Sequence, residues 1–525
     1  MGSVKYIPNT AANSGPESIT APRWLAWPLS FPVLLGAMLV TGTWAGVRLR
    51  LPDPDTWWHL AVGQTILAHH TLPVQDVYSF TAAGSPWIAY EWLGEVVMAM
   101  AARAGSLQGL ELLLLALSGS LVLLLWTLAY LHCRNVKAAF IACVLLLPLA
   151  GVVFSLRPQL LGYGFLLLTL IVLERYRQGS RQVLWALPPL FVLWVNTHGS
   201  FVLGLFVIAL YWAAGLWEFD AGPVQARRWT KRQRIDLEWV FLLSLVALTL
   251  TPYGTKLAAY PLEMALLQPL NVANITEWQP LSFQLALGKF MLGLLLAFLV
   301  TQWLVQMKWR LQDLALFLCA LVATCLHIRF TFFLVVATAP VLAMLAVRWV
   351  GAYEPQKDRY VLNAVLLAAL ATVIVKTFPA PSKLRQLVAE DYPAGAVRYL
   401  QHQAPVTHLM NEFGWGGYLI WKLGRQQKVF IDGRTDFYEY AGVLADYLNL
   451  QRLAPDTPFI LRKYQIRACL IRTDAPLAMW LAVSPGWRKA YQDGVAVLYV
   501  NGEQNPAIGS EVRDRSRIPK TMGFN

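Results

Sequence analysis

The chain has 525 residues, of which 57% are hydrophobic and 14% charged, and a mean hydropathy of +0.47. That balance excludes an ordinary water-soluble protein and makes lipid part of its solvent. The formal charge of +13 does not point to nucleic acid, because most Lys and Arg fall in short loops between apolar stretches. That is a membrane-topology pattern.

Apolar stretches able to cross a hydrocarbon core of ~30 Å, some only with tilt, centre near 25–46, 108–131, 138–155, 159–174, 183–196, 200–217, 239–252, 287–307, 311–326, 331–347 and 360–378. The first, from about Trp24 to Val47, exceeds a signal-peptide core of about 7–15 residues and reads as a retained span. Alternate loops carry Arg134/Lys137, Arg175/Arg177/Arg181, Arg227/Arg228/Lys231, Lys308/Arg310 and Arg348/Lys357/Arg359. The positive-inside rule makes these loops cytoplasmic. The N-terminus is then cytoplasmic and everything after Phe378 lies outside, which suits a multi-pass protein of a plasma (inner) membrane.

The first outer loop, 48–106, is too polar to span, yet Leu60–Ala68 and Glu91–Ala102 place apolar residues at helical spacing. Both read as amphipathic helices lying at the membrane interface. From Pro379 the composition turns soluble. Strands are expected near 406–410, 428–432, 467–471 and 495–500, and helices near 393–402, 436–450 and 456–464, an alternation that fits a small α/β domain. The expected fold class is therefore a polytopic α-helical membrane protein of about eleven transmembrane helices with a C-terminal extracytoplasmic α/β domain. Its expected divisions are a membrane domain over 1–378, a soluble domain over 379–501 and a disordered polar tail over 502–525.

Polar residues collect at the outer ends of spans, where ionisable groups usually pair, face a cavity or mark a functional path. Asp53-Pro54-Asp55-Thr56-Trp57-Trp58-His59 follows the first span directly. A carboxylate there can take a proton from an acceptor hydroxyl while the aromatics hold a sugar face. Alternatively, Asp53 or Asp55 caps a helix and the Trp pair forms an interfacial belt. Arg157, in Ser155-Leu156-Arg157-Pro158-Gln159, and Arg329, in His327-Ile328-Arg329-Phe330, break the positive-inside pattern. A lipid phosphate explains them, since guanidinium binds it bidentately; so does lipid-headgroup contact or a pair with Glu91 or Glu277. Asn196, His198, Glu277, Trp278, Gln159 and His327 sit in polar turns on the same side, suited to sugar hydroxyls or to structural bonds. In the C-terminal part, Asn411-Glu412-Phe413-Gly414-Trp415-Gly416-Gly417-Tyr418 and Phe430-Ile431-Asp432-Gly433-Arg434-Thr435-Asp436 follow expected strands. Loops at such ends bind ligands in α/β folds, although Asp432 and Arg434 could equally pair to hold the loops.

At these residues the chain resembles the GT-C superfamily of membrane glycosyltransferases, which take sugar from a polyprenyl-phosphate or polyprenyl-diphosphate donor at the outer face. The Asp53–Leu60 segment is similar to the first-loop acidic motif of oligosaccharyltransferases and protein O-mannosyltransferases, with Asp55 at the position of the catalytic aspartate. Phe413–Tyr418 occupies a place like the Trp-Trp-Asp motif that opens the oligosaccharyltransferase soluble domain. Two departures qualify what the resemblance implies. The loop at 155–158 lacks the paired acidic residues that complete the oligosaccharyltransferase metal site, and Gly416 stands where an aspartate grips a peptide acceptor. A divalent cation is thus not assigned to particular residues, and the logic is closer to metal-independent members in which an Asp and a nearby Glu serve the acceptor. The resemblance implies a lipid-linked sugar donor, Asp55 as base with Asp53 beside it, Glu91 as its assistant, Arg329 and Arg157 on the phosphate, and His59, Gln159, Asn196, His198, Glu277, Trp278, His327, Trp415, Asp432 and Arg434 about the sugar and acceptor. The acceptor is unspecified. A flippase or transporter of lipid-linked glycan and a non-catalytic assembly subunit are the competing classes, the former disfavoured because the charges do not sit at the midplane between inverted repeats.

Overall fold

The computed structural model describes residues 26–502, so the expected tail lies outside the described residues apart from Gly502. A helix occupies each apolar stretch: Phe31–Val47, Trp92–Cys133, Val136–Val152, Gln159–Arg177, Leu187–Val195, Phe201–Ala214, Lys231–Ala247, Ala286–Val305, Leu311–Leu326, Thr331–Ala346 and Tyr360–Thr377. Five described helices are long and apolar enough to cross a membrane alone, and five further apolar helices are shorter, 10–17 residues. This is a membrane protein, and the helices place its polar site at one end of the bundle. At the opposite end, Arg310 lies 3.1 Å from Glu174 and 2.5 Å from Asp313, with His132 beside both carboxylates. Charges buried there are paired, as membrane depth requires.

The first outer loop departs from the expected interfacial arrangement. Asp53 caps the Pro54–His69 helix, accepting the Asp55 N–H at 3.0 Å, and Pro54 supplies a φ already suited to the first turn. Thr56 through Gly63 are all buried, Trp57 completely. The Trp pair is therefore core and not a membrane belt. Trp57 stacks on Trp421 with ring centroids 4.8 Å apart and meets Tyr418 and Tyr392 edge-on. The second expected amphipathic helix runs directly into the next span, so that Trp92–Cys133 is continuous but broken at Gly105 and Ser106, the latter at φ 52°. Its outer half packs so tightly on Pro54–His69 that a side chain on Gly63 would lie 2.0 Å from the Glu95 carbonyl oxygen.

C-terminal to the last span, four strands form a mixed sheet in the spatial order Leu409–Asn411, Ala468–Arg472, Ala496–Asn501, Trp487–Gln492, the first pair parallel and the others antiparallel. One expected strand does not form and one strand that was not expected does, each for a physical reason. Residues 428–432 do not join as a strand; Val429 makes single parallel bridges to Leu409 on one side and Ser79 on the other, because the first outer loop competes for its backbone. Trp487–Gln492 is an edge strand whose Arg, Lys and Gln hide the alternation that marks a half-buried strand. The expected 436–450 helix is two helices, Thr435–Tyr440 and Val443–Gln451, interrupted at Gly442 with φ 73°.

Asp432 and Arg434, expected near a ligand, are completely buried and bind each other. Arg434 donates to Asp432 through Nε at 2.8 Å and Nη2 at 2.6 Å, while Nη1 lies 2.8 Å from Asp76 Oδ1 of the first outer loop. The guanidinium also sits over Trp87, 4.6 Å from the ring centre. This pair is a brace between the first outer loop and the C-terminal sheet region. Trp415 is likewise structural: it is buried and donates its indole N–H to the Asp391 carbonyl at 3.0 Å. Replacing Arg434 by Met leaves two buried carboxylates uncompensated, which costs about 3–5 kcal/mol. Arg434→Met should therefore unfold at a clearly lower temperature in detergent, whereas an unchanged transition would show that the brace carries no stability.

Candidate active site

A cavity of about 410 Å³ lies between one end of the membrane helices, the segment 256–278 and the C-terminal loops. From the loop after the first span, Asp55, Trp58, His59 and Glu91 face it; the helix ends contribute Arg157, Gln159, His198 and Arg329, and the 256–278 segment Glu277 and Trp278. Thus ten residues singled out in the sequence meet at one cavity. Asp53, Asn196 and His327 do not line it, and they act through neighbours.

Arg157 is the hub of the polar floor. It donates to both oxygens of Asp53, from Nε at 2.8 Å and Nη2 at 2.9 Å, while Nη1 lies 2.9 Å from Asp55 Oδ2 and 2.5 Å from Glu277 Oε1. Arg157 is therefore engaged by carboxylates, and the pair with Glu277 that the sequence left open beside a phosphate role is the arrangement seen. Trp58 donates its indole N–H to the other Asp55 oxygen at 3.2 Å. Burial pushes the Asp55 carboxyl up to about 7; Arg157 pulls it down, Asp53 and Glu277 push it further up, and the Trp58 N–H lowers it.

Beside Asp55 runs a buried series of alternating carboxyls and imidazoles. Glu95 Oε1 lies 3.1 Å from His59 Nδ1, His59 Nε2 lies 3.3 Å from Glu91 Oε2, and Glu91 Oε1 lies 3.4 Å from His198 Nε2. The Ser200 backbone N–H donates to His198 Nδ1 at 3.0 Å, which fixes the proton of that ring on Nε2, toward Glu91. Burial drives Glu91 well above the usual carboxyl range, holds His59 well below the usual imidazole range and takes His198 down to about 3. Burial thus favours the protonated, hydrogen-bond-donating form of Glu91.

Arg329 is differently placed from Arg157. It lies over the Trp278 ring, 4.0 Å from its centre, and among the described residues it has no ion-pair partner. His327 supports that arrangement from behind, with Nδ1 2.6 Å from the Trp278 carbonyl oxygen. Asn196 accepts the Trp92 indole N–H at 2.8 Å and donates to the Val192 and Leu250 carbonyls, which uses up its amide. Gln159 lines the cavity and donates to the Tyr163 hydroxyl at 2.7 Å.

Sequence reasoning missed the roof. Asp436, Tyr90, Asn271 and Tyr447 also line the cavity. Tyr260 donates to Asp436 at 2.6 Å and stacks on Tyr90, while Glu439 accepts the backbone N–H groups of Leu270 and Asn271 at 2.8 and 2.6 Å. Asp436 was visible as the last residue of the quoted loop, but Glu439 had no local signal. In Glu439→Ala, hydrogen exchange in residues 256–274 should rise at least tenfold while 409–423 is unchanged; equal protection in both proteins would mean that the roof is held otherwise.

No protein-family model and no curated protein matches the chain. Solved structures do. The oligosaccharyltransferase of Archaeoglobus fulgidus, solved with a tethered acceptor peptide containing the NVT sequon, is similar over 91% of this chain and 74% of its own, with a TM-score of 0.53 and 12% identity. ArnT from Cupriavidus metallidurans, solved bound to undecaprenyl phosphate, aligns over 89% of this chain and 98% of its own, with a TM-score of 0.48 and 14% identity. The archaeal match shows a common fold, the one that the first-loop and 413–418 motifs imply.

Proposed function

We propose that this GT-C-fold membrane protein transfers a sugar or glycan from a polyprenyl-phosphate or polyprenyl-diphosphate donor to an acceptor hydroxyl at the outer face of a plasma membrane. The observation that carries the reading is one cavity holding a carboxyl pushed up to about 7, Asp55, and a guanidinium, Arg329, that has no carboxylate partner among the described residues. The first can remove a proton and the second can stabilise a departing phosphate.

In the proposed reaction the acceptor oxygen attacks the anomeric carbon as the bond from that carbon to the phosphate oxygen breaks. The acceptor proton passes to Asp55 and the negative charge developing on phosphate is met by Arg329. Neutral Glu91 orients the acceptor or a sugar hydroxyl as a hydrogen-bond donor. Trp278 and Trp58 offer flat apolar surfaces to sugar rings, and Gln159 and His198 offer polar edges. Asp53, His59, Asn196 and His327 hold these groups in place. The eleven apolar helices with their basic loops support a membrane domain over 1–378 with a cytoplasmic N-terminus, and a separate extracytoplasmic domain over 379–501.

The test is turnover of undecaprenyl-phosphate monosaccharides by purified protein, read as release of undecaprenyl phosphate. Because Asp55 must be ionised to accept a proton and its carboxyl is raised, the rate should climb as pH rises to about 7 and level off above it. Asp55→Asn should lose about 10²–10⁴-fold. A side chain on Gly433 would sit 2.2 Å from Asp55 Oδ1 and 2.6 Å from Trp58 Nε1, so Gly433→Ala should fold normally yet lose about 10²-fold through misplacement of the base. Full turnover by Asp55→Asn would remove the base assignment.

A further inference from the structure

Asp53, Asp55 and Glu277 come from two segments more than two hundred residues apart, and their carboxylates converge on one point. Gathering three acidic side chains at a cavity wall is what a divalent-cation site does, with oxygens about 2.0–2.6 Å from the ion. Here that point is filled. Arg157 uses Nε, Nη1 and Nη2 together, at 2.5–2.9 Å from four carboxylate oxygens. Among the described residues no group of three or more His, Cys, Asp or Glu is arranged to hold a metal ion. The backbone around Arg157 is clamped on both sides. Thr56 donates to the Leu156 carbonyl at 2.9 Å, and Pro158 packs against Gly94 so closely that a side chain there would lie 2.6 Å from its Cβ. With the backbone fixed there and the guanidinium bonded to all three carboxylates, the position is taken, and the residues present do not fit a divalent ion.

We infer that Arg157 is the resident cation of this site, a guanidinium standing among Asp53, Asp55 and Glu277 where a metal ion would otherwise bind, so that the site works without metal. The inference about turnover rests on the proposed transfer; the occupancy of the position does not. A guanidinium presents its donors in a fixed planar fork, which matches several carboxylates at once, and it keeps its charge at every physiological pH. It supplies one positive charge and hydrogen bonds, where a divalent ion would supply two charges and an open coordination position. The acceptor is then activated by the neighbouring carboxylate alone. Lysine, with a single nitrogen, could not span the three carboxylates, so Arg157→Lys is not a conservative change here.

The experiment is a Mn²⁺ titration of the full-length protein in detergent, read by electron paramagnetic resonance, on wild type, Asp53→Asn, Arg157→Ala and Arg157→Ala/Asp53→Asn. Wild type should bind no stoichiometric Mn²⁺ up to about 1 mM, the weak end of protein sites for divalent cations. Arg157→Ala should bind one equivalent at least tenfold more tightly than wild type, and Asp53→Asn should abolish that binding. Stoichiometric binding by wild type that disappears in Asp53→Asn would overturn the inference, as would a folded Arg157→Ala that gains no site. Should Arg157→Ala fail to fold, the comparison of wild type with Asp53→Asn still decides. Transfer that persists in chelator supports metal-free working and transfer lost in chelator overturns it. An absence of transfer under all conditions, with wild type free of Mn²⁺, would count against the transferase reading and leave the occupancy of the position intact.

Discussion

One guanidinium holds the site together. Arg157 draws Asp53 and Asp55 from the start of the first outer loop and Glu277 from the outer segment. Asp53 is also the cap of the Pro54–His69 helix, so a single carboxylate ties the helix start to the span end that carries Arg157. That helix in turn is the surface on which the C-terminal region is seated, through Trp57 against Trp421 and through Gly417, where an added side chain would lie 2.8 Å from the Trp58 backbone nitrogen. The position of Asp55 is therefore set by helix capping, an ion cluster and glycine-permitted packing at once. Such over-determination is what holds a reactive group at a fixed geometry.

Two arginines that look alike in sequence are given opposite tasks by their surroundings. Arg157 is neutralised by carboxylates and organises them, whereas Arg329 rests on an aromatic face and leaves its charge available to the cavity. The acids are divided in the same way. Asp55 sits between Arg157 and the Trp58 indole with its carboxyl pushed up to about 7, while Glu91 lies between two imidazoles, where burial raises its carboxyl well above the usual range. Pairs of like groups pushed to different protonation states are how one site provides both a base and a hydrogen-bond donor.

Much of this was legible in the sequence, and the remainder failed for identifiable reasons. Asp53-Pro54-Asp55 was readable because capping residue, proline and carboxylate are adjacent, and the apolar stretches were readable from length and basic loops alone. What local reasoning could not supply was partnership over distance. Arg157 and Asp53 are 104 residues apart and Arg157 and Glu277 are 120 apart, so a pair with Glu277 could be offered only beside a phosphate role and the pair with Asp53 not at all. For Arg434 the pair with Asp432 was open in the sequence beside a ligand role, but the second partner, Asp76, lies far earlier in the chain and had no local signal. The helix that follows Asp53 was placed at the membrane interface because amphipathic spacing does not reveal that a later domain will cover the exposed face. Val429 shows the converse failure, a strand-like segment whose backbone is shared between two partners and joins neither fully.

The central claim is that the cavity beside Arg329 receives a polyprenyl-linked phosphate. Native mass spectrometry of gently purified protein, wild type beside Arg329→Ala, tests it most directly. The account predicts a co-purifying polyprenyl-phosphate species on wild type that is absent or at least tenfold depleted in the variant. A carrier retained equally by both proteins would contradict the assignment of Arg329, and no carrier on either would contradict the lipid-linked donor itself.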